Sequence, residues 1–105
     1  MKNYCVKKYS VEQLDRVQDS LTRLINDIKR AKISLNHYIE RVDECERMLK
    51  LNEEMKENLS METYLRNRIN YEDDKRDFSR IVVRMIGDIE NIEKKIEELR
   101  EKYCL

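Results

Sequence analysis

Residues 51–65 read LNEEMKENLSMETYL, and the fold turns on whether the backbone reverses within them. The chain has 105 residues, one glycine and no proline, so few positions are built to interrupt a helix. Upstream of the quoted stretch, apolar residues recur at alternating steps of three and four. Leu14, Leu21, Ile28, Leu35, Val42 and Leu49 form one series, and Val17, Leu24, Ala31, Tyr38 and Cys45 form the other. That is a sustained heptad seam, and Asn52 continues it as a polar member. At Asn58 the seam stops, and Ser60-Met61-Glu62-Thr63 offers a serine N-cap with an acid in the following turn. Asn58 itself suits the left-handed conformation that often ends a helix. One uninterrupted rod of about 140 Å would give no reason for a lost seam and a new cap to coincide. The stretch therefore predicts a turn at 58–60.

The rest of the organisation follows from that turn. Ser10-Val11-Glu12-Gln13 has the form of a capping box, which starts helix 1 at 11 and carries it to 57, about 70 Å at 1.5 Å per residue. Helix 2 covers 61–103. Its seam alternates Val82, Ile89, Ile96 and Tyr103 with Phe78, Met85, Ile92 and Leu99. Traced backwards, the register passes Lys75, Tyr71, Arg68, Tyr64 and Met61, so the seam is weak before 78. The run NYEDDKRD, residues 70–77, reads as a wet helical stretch, with a second break as the alternative. The fold class is all-α: an antiparallel, coiled-coil-like helical hairpin in a single domain, with Leu49 opposite a residue near 69 and Leu14 opposite one near 104.

Composition supports this and limits the core. Charged residues make up 42% and apolar ones 40%, the balance of long helices rather than of turn-rich β folds. A chain this small, drawn out as rods, cannot enclose a thick core. Its apolar stripe is also wider than a two-stranded coil requires, since Ile25 and Ile39 flank the first seam and Leu65, Ile81 and Ile86 the second. A broad stripe signals more than one neighbour. Two hairpins paired as a four-helix bundle would use those five residues as an oligomer interface, each contributing roughly 1.5–3 kcal/mol when fully buried. A homodimer is the first expectation, and docking on a second, different protein follows it.

Several function classes lose support. Lys and Arg total 22 and Asp and Glu total 22, so no net field draws the chain to nucleic acid or an anionic membrane, although Lys2, Lys7 and Lys8 make the segment 1–10 basic. No apolar run approaches the roughly 20 residues of a membrane span, and MKNYCVKKYS lacks the apolar region of a signal peptide. The expected location is the cytoplasm. The Lys-, Asn- and Ile-rich composition suits an AT-rich genome, and for a phage- or virus-encoded chain the compartment would be the host's. Cys5, Cys45 and Cys104 lack metal-site spacing. Cys45 sits at a core position, and the two near the ends are expected as free thiols, bonded only in an oxidising setting. His37 is the sole histidine, with no nucleophile patterned beside it. No catalytic, metal-binding or cofactor-binding residue is expected. Gly87 stands alone on the outer face of helix 2, not in a phosphate loop, and reads as a tolerated weak spot, with a close helix approach as the alternative.

One polar feature stands out. Arg76, Arg80 and Arg84 are spaced by four and align on one helical face. They could meet an acidic protein surface, or nucleic-acid phosphates with Tyr64, Tyr71 and Phe78 for stacking. Because acids interrupt the stripe and the net charge is zero, the favoured reading is an ion-pair ladder with Asp73 and Asp77, or with Glu40, Asp43 and Glu44 across the hairpin. The sequence thus points to a non-enzymatic protein–protein interaction module: a small oligomeric adaptor, scaffold or inhibitor. Nucleic-acid binding through the arginine face is the alternative.

Overall fold

The computed structural model describes residues 9–105. Helix α1 runs Val11–Glu54, a short 3-10 turn covers Lys56–Asn58, and helix α2 runs Met61–Tyr103. The two long helices pack against each other as an antiparallel hairpin, with no strand among the described residues. The basic segment around Lys2, Lys7 and Lys8 lies outside those residues, as does Cys5.

Each helix begins where its sequence provides a cap. The Ser10 amide donates to Gln13 Oε1 at 2.9 Å, and the Gln13 amide donates to Ser10 Oγ at 3.1 Å. This is the reciprocal box, satisfying amides that a bare helix end would leave unpaired. At α2 the Thr63 amide donates to Ser60 Oγ at 3.1 Å. Between the helices the reversal differs from expectation in its geometry. Helix α1 stops at Glu54 rather than at 57, and Asn58 is not left-handed: among the described residues only Cys104 combines a side chain with positive φ. The Asn58 amide instead donates to Met55 O at 2.9 Å and the Leu59 amide to Lys56 O at 3.4 Å. These tight i→i+3 bonds occupy the carbonyls that a left-handed cap would otherwise have served. Leu59 then extends, with φ −110° and ψ 152°, to deliver the chain to Ser60.

Packing divides the chain into two units: the chain up to Lys32 with Gly87–Leu105, and Ile33–Ile86. In the first, Val17, Leu21 and Ile96 form a buried cluster, and Leu24, Ile25, Ile28, Ile92, Leu99 and Tyr103 close around it. Tyr9 stacks on Tyr103 with ring centroids 4.7 Å apart, and its hydroxyl donates to Lys102 O at 3.2 Å. That contact brings the end of α2 to the start of α1. Beside it, Cys104 is disulfide-bonded, which corrects the expectation of a free thiol there.

The second unit is held differently. Cys45, Tyr64 and Asn52 are its buried residues, Tyr38 meets Phe78 at 6.1 Å between ring centroids, and Lys75 Nζ reaches Glu46 at 3.4 Å. Helix α2 runs through 70–77 without a break. Half-buried Tyr71, Asp73 and Lys75 alternate there with exposed neighbours, so the wet stretch is helical. Pairing of Glu46 with Lys75 and of Asn52 with Asn67 brackets the expected opposition of Leu49 and residue 69.

Gly87 has open space where a Cβ would stand, with nothing within 4 Å. No close approach requires glycine, so Gly87→Ala is expected to raise stability by roughly 1 kcal/mol through helix propensity alone. Urea denaturation of the two chains side by side checks this, and a loss of stability would mean that the site needs its bare backbone.

Candidate functional site

The residues 33–86 carry a surplus of apolar surface. Of the exposed large apolar side chains among the described residues, nine lie in this unit and two, Val11 and Leu105, in the other. Exposed apolar side chains gathered into groups on a small chain mark an interaction site. Here they fall into two groups. Near the turn, Met61, Leu65 and Ile69 repeat at steps of four on α2, with Leu51 and Met55 on α1. Farther from the turn are Ile33, Ile39, Val83 and Ile86, of which Val83 is 71% and Ile33 72% exposed. There Ile39, Val42, Val82 and Val83 line a shallow apolar groove edged by Asp43 and Ser79.

Among the residues expected at an oligomer interface, Ile39, Leu65 and Ile86 are exposed, while Ile25 and Ile81 are half-buried. Ile25 packs on the Val17, Leu21 and Ile96 cluster of its own unit. Sequence reasoning passed over Ile33, Ile69 and Val83. A signal for two of them was present: Leu65, Ile69, Val83 and Ile86 obey a four-and-three spacing of their own, displaced around α2 from the main seam.

The three arginines are not equivalent. Arg76 is tied to Asp73 at 3.0 Å and lies 4.0 Å from Asp77, the local pairing expected of a ladder. Exposed pairs of this kind contribute little. Among the described residues no ion pair joins these arginines to Glu40, Asp43 or Glu44 across the hairpin, and Glu44 pairs with Arg41 at 3.4 Å. Arg80 and Arg84 are exposed, and neither has a carboxylate within ion-pair distance among the described residues.

Next to the turn, polar groups are organised rather than solvated. Asn52 Nδ2 donates to Tyr64 O at 3.0 Å, and Asn67 Nδ2 donates to Asn52 Oδ1 at 3.1 Å. A single polar residue in an apolar seam fixes register, since sliding the helices would strand it. Asn52→Ala leaves the Asn67 amide without its acceptor and is expected to cost about 1–3 kcal/mol. Denaturant midpoints of N52A and of the exposed control Asn26→Ala test this, and equal midpoints would remove the network from the account.

Tyr64 continues the network: its hydroxyl donates to the Glu53 carboxylate, and Lys56 Nζ lies 5.0 Å above its ring. The hydrogen bond to Glu53 raises the phenol above its ordinary value, with burial and the Glu53 charge adding to it. The fold therefore favours the protonated phenol. That contribution is complete below the ordinary tyrosine value of about 10 and is lost as pH climbs through the raised one. Tyr64→Phe is expected to flatten the fall in stability above about pH 10, measured by denaturant titration across the alkaline range. A fall of unchanged steepness would mean that other groups drive it.

Cys45 is buried and free, as its seam position implied. Burial, then Asp74 and Glu44, push its thiol upward, away from the thiolate form that nucleophilic attack needs. His37 is exposed, with its ring edge on Tyr38 at 5.4 Å. Among the described residues no three of His, Cys, Asp and Glu converge in the manner of a metal site, and no helix is long and apolar enough to cross a membrane.

Set beside known protein families, curated proteins and solved structures, the chain matches none. The functional reading rests on the surface of 33–86.

Proposed function

We propose that this chain is a non-enzymatic protein–protein interaction module, a small self-associating adaptor, scaffold or inhibitor that works by covering a partner's surface. The observation that supports it is the concentration of exposed apolar side chains in 33–86, a unit whose own buried set is only Cys45, Tyr64 and Asn52. Hydrophobic association removes such surface from water at about 25 cal/mol per Å². Light scattering behind a sizing column, over a concentration series reaching tens of micromolar, tests the reading. A mass that rises from one chain toward two is expected. A strict monomer throughout would count against self-association and leave only docking on a different protein.

A second reading keeps the exposed Arg80 and Arg84 for nucleic-acid phosphates. It predicts salt-sensitive binding, and no shift of labelled DNA or RNA at low salt would dispose of it. The cytoplasm is the compartment proposed for the chain, the host's for a phage- or virus-encoded one. The bonded Cys104 pulls the other way, because disulfides persist mainly in oxidising compartments.

A further inference from the structure

Resting on the self-association just proposed, we infer that a second copy of this chain docks antiparallel along α2, about a two-fold axis close to Arg76. The exposed stripe on α2 has an order that specifies this. Leu65 and Ile69 come first, then the polar Glu72, Arg76 and Ser79, then Val83 and Ile86. Their steps alternate four and three throughout, so all seven share one face. Read backwards from Arg76, the pattern repeats: two apolar residues, a polar centre, two apolar residues. A two-fold interface meets itself and must be complementary to its own reversal. Under that axis Leu65 and Ile69 of one copy cover Val83 and Ile86 of the other, and reach the groove lined by Ile39, Val42, Val82 and Val83.

Charge selects the antiparallel direction over the parallel one, which would also stack apolar on apolar. In a parallel pair Glu72 faces Glu72 across the seam. Like charges held opposite each other cost free energy. Reversal instead sets Glu72 of one copy, held by its own Arg68 at 3.1 Å, beside Arg80 of the other, and Arg80 has no carboxylate partner within its own chain among the described residues. Only Arg76 meets its own copy at the axis, and Asp73 already neutralises it at 3.0 Å.

The test uses the full chain with a single added thiol and a short bismaleimide linker, the unsubstituted chain serving as the background control. Arg76→Cys is expected to link to itself. Leu65→Cys is expected to link to Ile86→Cys when the two are mixed but not to itself, because the two Leu65 positions would stand about 33 Å apart at 1.5 Å per residue. All three positions are exposed, and circular dichroism of each variant verifies that it is folded. Self-linking of Leu65→Cys would overturn the inference in favour of a parallel pair. A dimer by light scattering that links at none of these positions would overturn the inference and leave the proposed function standing. A strict monomer would remove both the inference and the self-association beneath it.

Discussion

Leu21→Ala is expected to lower the free energy of unfolding by about 2–3 kcal/mol, and the melting temperature by roughly 10 °C or more. Leu21 is 5% exposed and sits in the cluster with Val17 and Ile96, so its removal takes away both transfer free energy and neighbours. The lower part of the usual Leu→Ala range applies because no side chain of the described residues is completely enclosed. Surrounding groups and water can relax into part of the space. The matched control is Ile33→Ala, which deletes a similar volume at a site 72% exposed and should move stability by no more than about 0.5 kcal/mol. Thermal melts of both variants at one low concentration decide the matter. Equal losses would show that the seam through Leu21 is not where the chain stores its stability.

The second large effect concerns association rather than folding. Val83→Glu combined with Ile86→Glu is expected to weaken self-association at least a hundredfold, which corresponds to about 3 kcal/mol. Each change would force a charge into a face that the second copy is to cover, and a buried charge without a partner is costly. Helical content should stay as it is, because Val83 is 71% and Ile86 42% exposed in the single chain. Sedimentation equilibrium gives the association constant, and circular dichroism confirms the fold. Unchanged association would move the interface elsewhere, with the turn-proximal group around Met61 and Leu65 the next surface to alter.

The architecture was legible in the sequence where local rules decide it. Two heptad seams, the Ser10–Gln13 box and the serine at 60 set both helices and the place of the reversal. The conformation of the reversal was not legible. Asn58 has the local preference for a left-handed cap, yet the Met55 and Lys56 carbonyls are met by 3-10 bonds, and that preference is never used. Asn52 could be read as a polar member of the seam, but its partners Tyr64 and Asn67 lie 12 and 15 residues away. They become neighbours only once the register is set. The surface of 33–86 was half visible. Ile39, Leu65 and Ile86 flank the seams, whereas Ile33 and Val83 occupy outer positions ordinarily left to polar residues. The spacing of Arg76, Arg80 and Arg84 showed that they align, but it could not show that Asp73 binds one of them while the other two have no ion-pair partner among the described residues.

The reversal from Met55 to Ser60 has a practical corollary. No backbone there needs a positive φ, and Glu57 and Asn58 are both exposed. Most amino acids are sterically admissible at these two positions, and a foreign peptide spliced between them would leave the Ser60 cap and the Asn52 network in place. A fluorophore or affinity tag grafted there would stand several helical turns from Val83 and Ile86 of its own chain, and so report on assembly without taking part in it.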